Sequence, residues 1–122
     1  MDAYQHVNNA VYFRYFEDAR MALLQDTGAM DHMHAQREGP ILASTRCEFR
    51  APLTFPDRIL IGARIEDMHT KRFVMRYAVH SERLGRIAAH GEGLIVYFDY
   101  AAQRSCAVPE GLVPRFQAYG PR

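Results

Sequence analysis

The pattern of apolar and polar positions changes its period once along the chain. Over residues 9–26 the polar side chains fall on one narrow stripe at helical spacing, and apolar side chains occupy most of the remaining circumference. A helix that is apolar over so much of its surface belongs inside a fold. The pattern therefore predicts one long, largely buried helix. Its polar stripe is Arg14, Glu17, Asp18 and Gln25, and its apolar positions are Val11, Tyr12, Tyr15, Phe16, Ala19, Leu23 and Leu24.

The ends of this helix carry the expected signals. Asn8 or Asn9 supplies an N-cap, because an amide oxygen can accept from the first free backbone N–H groups. Gly28 supplies a stop, because glycine readily takes the left-handed conformation that ends helices. Residues 29–39 have no clean period, and we expect a loop there.

From residue 40 onward, apolar positions recur at every second residue, which is typical of strands. The segments 40–52, 57–68, 72–81 and 86–100 predict four strands, and their short, turn-rich links predict consecutive antiparallel hairpins. The tail from residue 108 can hold one or two helical turns. The in-phase sets are Ile41, Ala43, Thr45, Cys47 and Phe49, then Ile59, Ile61, Ala63 and Ile65, then Phe73, Met75, Tyr77 and Val79.

Two glycines in the last predicted strand, Gly91 and Gly93, point to one face. Glycines two apart permit a sharp bend or a close approach by the helix. One helix followed by four strands predicts an α+β fold in which a curved antiparallel sheet wraps the helix. With 122 residues the chain is expected to form a single domain over residues 1–122.

Composition and charge exclude several classes of function. An apolar fraction of 48% with 24% charged residues is ordinary for a globular protein. A net charge of +1 gives no support to nucleic-acid binding or to electrostatic attachment to a membrane. No apolar run approaches the roughly 20 residues of a membrane-spanning helix, and no signal-peptide pattern is present. We therefore expect a cytoplasmic protein without nucleic-acid or membrane partners.

The remaining candidate chemistry is weak. Cys47 and Cys106 do not form a disulfide framework, and Cys47 is expected to be a small buried side chain rather than a nucleophile. The histidines His32 and His34 lack a cluster of further ligands, so we expect solvated side chains and no metal site. His69 falls in the predicted turn between the second and third strands, where a polar hairpin or a phosphate contact is expected.

The most informative stretch is the polar cluster before the aromatic helix. On one interpretation these residues are structural: Asn8 and Asn9 merely cap the helix, Asp2 favours its positive end, and His6 lies on the surface. Alternatively, the free backbone N–H groups can polarise a carbonyl oxygen while a carboxylate upstream acts as nucleophile or general base. An acid beside an oxyanion site is a minimal apparatus for acyl transfer.

The stretch "DAYQHVNNAVYFRYFEDAR" resembles the opening motif of hotdog-fold thioesterases of the 4-hydroxybenzoyl-CoA thioesterase-like superfamily. Later segments, "CEFRAPLTFPDRILIGARI" and "GEGLIVYFDYAAQRSCAVPEGL", resemble the family's strands, so the resemblance covers nearly the whole chain. It implies the hotdog form of the predicted fold. The residues that match the motif are Asp2, His6, Val7, Asn8, Asn9, Tyr12, Ala19 and Arg20.

The resemblance implies roles for these residues. Asp2 would be the catalytic carboxylate, and the backbone N–H at Asn9 would polarise the thioester carbonyl. His6 matches the histidine of plant acyl-ACP thioesterases, although Tyr4 stands where that branch has an asparagine. The candidates for substrate binding are Asn8, Tyr12, Lys71 and Arg72, of which Lys71 and Arg72 would contact CoA phosphates.

Family members usually carry a strand before the motif, and here Met1 directly precedes Asp2. We therefore expect an upstream segment and greater stability when it is present. The expected function is hydrolysis of acyl-CoA to free acid and CoA without a cofactor. An acyl-ACP thioesterase and a non-catalytic module that binds acyl ligands are the alternatives. A homodimer is expected at minimum, because the final strand or a neighbour would otherwise expose an edge. The resemblance also implies a dimer, with a tetramer as the next assembly.

Overall fold

The computed structural model describes residues 7–120, in which two helices precede a sheet and a third follows it. The predicted long helix, four strands and helical turn in the tail are confirmed, with strand ends shifted by no more than three residues. The elements are α1 (Asn9–Asp26), α2 (Ala29–Gln36), β1 (Glu38–Phe49), β2 (Ile59–Glu66), β3 (Arg72–Ser81), β4 (Arg86–Asp99), β5 (Arg104–Ser105) and α3 (Val113–Gln117).

Helix α1 begins and ends as its sequence predicts. Asn8 is the N-cap, and its side-chain oxygen accepts from the Ala10 N–H at 3.0 Å. Gly28 follows the last residues of the helix with φ of +85°, a conformation that glycine adopts at little cost. A Cβ at this position would also lie 2.6 Å from an Arg115 guanidinium nitrogen. The backbone conformation therefore favours glycine here, whereas the Arg115 side chain could move to make room for a Cβ.

The segment after Gly28 is helical, so the prediction of a loop over residues 29–39 is wrong for Ala29–Gln36. This short helix has no periodic apolar pattern, and tertiary packing stabilises it instead. Ala29 is buried, and the Met33 sulfur lies where a Cβ of Gly39 would be. Arg37, with φ of +56°, ends the helix and donates its N–H to the Met33 carbonyl at 2.9 Å.

The sheet is antiparallel in the order β1-β4-β3-β2, with β5 paired to the end of β4. The two later hairpins are confirmed, but the first is wrong because β1 pairs with β4 and not with β2. The link between β1 and β2 crosses the end of the sheet, where the amides of Arg50 and Ala51 both donate to the Ala88 carbonyl at 2.8 and 3.0 Å. The last long strand is therefore interior, and its neighbour β1 forms an edge.

The alternation on β2 and β3 is as predicted, whereas β1 changes phase at a bulge between Leu42 and Ser44. Ile41 lies opposite Val96, and Cys47 lies opposite Gly91. Val96 and Gly91 lie on opposite faces of β4, so Ile41 and Cys47 lie on opposite faces of β1. The prediction that all the apolar positions of β1 share a face is wrong across this bulge.

Helix α1 lies against β2 and β3 and buries one side in the concave face of the sheet. The helix is less buried than its pattern predicts, because Phe13 and Met21 are each more than a third exposed. The buried residues of α1 are Tyr12, Phe16, Leu23 and Leu24. The arrangement confirms the hotdog fold that the sequence resemblance implies. Within residues 7–120, no helix has the length and hydropathy needed to cross a membrane.

Candidate active site at the start of helix α1

Within residues 7–120, one backbone donor at the start of α1 has no partner. The Ala10 N–H is taken by the Asn8 side chain, and the Val11 N–H donates to the Asn8 carbonyl at 2.9 Å. The preceding Val7 N–H donates to the Leu53 carbonyl at 2.8 Å, which anchors the approach to the helix. The Asn9 N–H has no partner among residues 7–120. This amide sits at the positive end of the helix and is available to an oxygen that gains negative charge.

Asn9 lines a cavity of about 320 Å³ between the start of α1 and the end of β1. Its volume and mixed polar and apolar lining suit a small part of a larger ligand rather than a solvent-filled crevice. The lining residues are Val7, Asn9, Tyr12, Phe49, Arg50, Ala51 and Pro52.

One side of this cavity is aromatic. The Tyr12 and Phe49 rings meet edge to face with centroids 4.9 Å apart, and Tyr15 lies 6.0 Å from Tyr12. Burial raises the pKa of Tyr12, and a hydrogen bond with the Leu53 backbone partly opposes that shift. Phe49 is 43% exposed and so presents apolar surface to a ligand. The site therefore combines a backbone donor with an apolar surface.

Arg50 supplies a cation at the same cavity, and sequence reasoning did not identify it. The backbone of Arg50 is fixed through its bond to Ala88, and its side chain lies 3.3 Å from Glu48. The side chain is half exposed. No motif marks this arginine, and the only signal in the sequence is its position at the end of the first predicted strand.

Cys47, on the inner face of β1, does not provide a nucleophile. Burial raises the pKa of its thiol to about 11, so the thiol stays protonated at neutral pH. The expectation of a structural cysteine is supported, although the side chain is only partly buried.

The structure brings together three of the predicted site residues, Asn8, Asn9 and Tyr12. Asp2 and His6 lie outside the described residues, so their roles stay predictions.

Lys71 and Arg72 lie at the far end of the sheet within the same chain. Arg72 is opposite Val96 of β4, and Phe49 is opposite Ala89 of the same strand. Seven residues (96 − 89) separate these positions, which corresponds to about 23 Å along a strand. The two cations therefore do not join Asn9 in one site of a single chain.

The histidine-containing segment also forms no metal centre in the described part of the chain. No group of three or more suitable His, Cys, Asp or Glu side chains is found between residues 7 and 120. The Nε2 atom of His32 is buried and lies 3.5 Å from the Glu38 carboxylate. His32 is thus less solvated than expected, because α2 packs it toward the start of β1.

Arg20, the last residue of the motif, links α1 to the sheet. Its guanidinium donates to the Tyr77 hydroxyl at 3.2 Å. The Tyr77 ring in turn stacks on Phe16, with centroids 4.8 Å apart. Burial raises the pKa of Tyr77, and the nearby Arg20 charge opposes that shift. This contact fixes the orientation of α1 and therefore of the amide at its start.

Comparison with known proteins identifies relatives over almost the full length. The thioesterase-like superfamily model matches residues 1–116. The long-chain acyl-CoA thioesterase FadM of Escherichia coli strain K12 is 25% identical over 108 residues, covering 88% of this chain and 82% of FadM.

Two solved structures show the same fold. The PA5185 protein of Pseudomonas aeruginosa strain PAO1 has a TM-score of 0.86 at 27% identity, covering 98% of this chain and 82% of that protein. A thioesterase from Thermus thermophilus, solved with coenzyme A and zinc, has a TM-score of 0.82 at 25% identity, covering 100% and 87% of the two chains. The family match, the fold and the opening motif agree, and the chain belongs to the thioesterase-like superfamily.

Proposed function

We propose that this protein hydrolyses acyl-CoA thioesters to the free acid and CoA. The observation that carries this proposal is the Asn9 N–H, which has no partner among residues 7–120 and belongs to a residue that lines a cavity with an aromatic side. The amide suits a thioester oxygen, and the Tyr12–Phe49 surface suits the adjoining acyl group. FadM and the T. thermophilus protein, named as a long-chain acyl-CoA thioesterase and as a thioesterase solved with coenzyme A, support the same substrate class.

The proposed reaction places the thioester carbonyl oxygen on the Asn9 N–H. The Asp2 carboxylate either attacks the carbonyl carbon or removes a proton from the water that does. The C–S bond then breaks, and the CoA thiolate leaves and takes up a proton. If Asp2 attacks directly, water hydrolyses the resulting anhydride and restores the carboxylate. In the sequence, Asp2 precedes the start of α1 by a few residues, as in the family motif, which supports this role. His6 would orient the carboxylate or line the loop.

We further propose that the active form is a dimer joined along β1, with a tetramer as the next assembly. Strand β1 is an edge strand whose middle, residues 42–46, is exposed. Leu42 and Phe49 of this strand are 37% and 43% exposed. An edge of this length with exposed apolar side chains is normally covered. A second copy would cover it and bring its own strand close to the Phe49 side of the cavity.

The direct test is release of free thiol from a panel of acyl-CoAs with short, long and aromatic acyl groups. We expect turnover on at least one class. Absence of turnover on every member, with the protein folded, would contradict the enzyme and favour a module that only binds acyl ligands. Comparing CoA and acyl carrier protein bearing one acyl group tests the carrier, and faster hydrolysis from the carrier protein would favour the acyl-ACP alternative.

A further inference from the structure

We propose that a groove on the outer face of the sheet, entered at Arg50, binds the phosphate-bearing nucleotide end of CoA. This inference rests on the proposed function and names where the rest of the substrate lies. The groove has a volume of about 600 Å³ and lies on the face of the sheet away from α1. Its lining residues are Glu48, Arg50, Gly62, Ala63, Arg64, Arg76, Tyr77, Ala78, His90 and Gly91.

The base of the groove is formed by short side chains on neighbouring strands. Gly62 of β2 lies opposite Ala78 of β3, and Ala78 lies opposite His90 of β4. A Cβ at Gly62 would meet no atom within 4 Å, so the space above this residue is open. Gly62, Ala78 and His90 therefore form a row across three strands. This row makes a shallow trough that can accept a flat ring, with the His90 imidazole at one end.

The guanidinium groups of Arg64 and Arg76 line this trough and pair with carboxylates, and Arg46 continues the same set of ion pairs beyond it. Arg76 pairs with Glu66 and, at 2.7 Å, with Glu92. Arg64 pairs with Glu66 at 2.8 Å, and Arg46 pairs with Glu92 at 2.6 Å. These five residues form a charge ladder, which is a row of alternating positive and negative side chains across β2, β3, β4 and β1 with an arginine at each end. The ladder orients its guanidinium groups, and each arginine retains N–H donors for a phosphate.

Arg50 is the residue that joins the groove to the active-site cavity, because it lines both. Its partner Glu48 is 66% exposed, and ion pairs this exposed contribute little to stability. A phosphate can therefore replace Glu48 at low cost. With the thioester at Asn9, the pantetheine arm would pass Arg50 and place the nucleotide over Gly62 and Ala78. Within one chain, the competing assignment to Lys71 and Arg72 would place it at the opposite end of the sheet.

Two variants test the groove. Gly62→Tyr fills the trough without a backbone penalty, and Arg50→Gln removes the cation at its entrance. Each is expected to raise KM for acyl-CoA about tenfold or more, Gly62→Tyr because its ring occupies the space of the nucleotide and Arg50→Gln because a charge-assisted hydrogen bond to phosphate is lost. Gly62→Tyr, which lies outside the active-site cavity, should stay within about twofold of wild type for kcat/KM on the matching S-acyl-pantetheine, which lacks the nucleotide. The matched controls lie outside the groove: Leu60→Tyr, on β2 like Gly62, and Arg58→Gln, just before β2.

A calorimetric titration with CoA itself separates this inference from the proposed reaction. Wild type is expected to bind CoA, and Gly62→Tyr is expected to weaken that binding about tenfold or more, whether or not thiol release is observed. Equal CoA affinity in wild type and Gly62→Tyr would overturn the groove assignment. An equal loss of kcat/KM for Gly62→Tyr on acyl-CoA and on acyl-pantetheine would also overturn it. So would a rise in KM of the same size in the control variants.

Discussion

The ring of Phe16 lies directly on the backbone of Gly91, so that a Cβ at position 91 would come within 2.3 Å of the ring atom Cε2. The ring cannot retreat easily, because it is 1% exposed and stacks on Tyr77. This contact sets how closely α1 approaches the sheet and hence where the active-site amide sits.

Gly91→Ala should therefore destabilise the protein. Forcing a methyl group into a packed core costs about 1–3 kcal/mol. Urea denaturation measures the change, and Gly62→Ala is the control, since a Cβ there meets nothing within 4 Å. We expect the control to stay within about 0.5 kcal/mol of wild type. Equal stability of the two variants would contradict the close contact.

Two buried tyrosines should respond in opposite directions to loss of the hydroxyl. The Tyr97 hydroxyl is buried and has no hydrogen-bond partner among residues 7–120, whereas the Tyr77 hydroxyl accepts from Arg20. Tyr97→Phe should leave stability unchanged or raise it by up to about 1 kcal/mol, and Tyr77→Phe should lower it by about 0.5–1.5 kcal/mol. Denaturation midpoints of the pair decide the matter. A larger loss at Tyr97 than at Tyr77 would show that Tyr97 has a partner.

Stability should fall in alkaline solution. Burial raises the pKa of Tyr12, Tyr77 and Tyr97 above the ordinary 10.0, and it raises the pKa of Cys47 from 9.0 to about 11. The folded protein therefore holds these protons more tightly than the unfolded chain. Their contribution to stability is fully present below pH 9.0 and is lost as the pH rises through the folded-state pKa values. Urea midpoints should drop above about pH 9–10, with phenolate absorbance appearing as the protein unfolds. A midpoint that stays constant through pH 11 would contradict this burial.

The chain pattern predicts local elements well and their arrangement less well. The period of α1 and the phases of β2 and β3 follow from neighbouring residues, and the glycines at 91 and 93 indicate where a close approach is permitted. The pairing of β1 with β4 does not, because it depends on contacts between residues about 50 positions apart, such as Arg46 and Glu92. The bulge after Leu42 and the helix α2 are likewise set by tertiary packing.

The candidate site shows the same division. Asn8 and Asn9 could be placed at the helix start because capping is a local property. Arg50 could not be assigned, because its relation to Asn9 exists only once β1 is docked beside α1. Lys71 and Arg72 are candidates because they lie at a basic hairpin tip, and their distance from Asn9 within one chain follows only from the strand register.

The proposed dimer should depend on β1. Replacing Leu42 by Lys places a charge on the exposed edge strand, where two copies would oppose like charges. Wild type is expected to sediment as a dimer or tetramer at micromolar concentration, and Leu42→Lys as a smaller species with reduced hydrolysis. Leu60→Lys, on the other edge strand, is the control that should keep the assembly. A fully active wild-type species near the 14.0 kDa of one chain would contradict the shared site.

The central claim is that thioester hydrolysis takes place at the start of α1 with Asp2 as the reacting carboxylate. The most direct measurement is kcat for thiol release from the best acyl-CoA by wild type, Asp2→Asn and the control Asp31→Asn, whose side chain is on α2 and exposed. We expect Asp2→Asn to lower kcat by on the order of 10² or more with a much smaller change in KM, and Asp31→Asn to match wild type. A kcat for Asp2→Asn close to that of wild type would contradict the account.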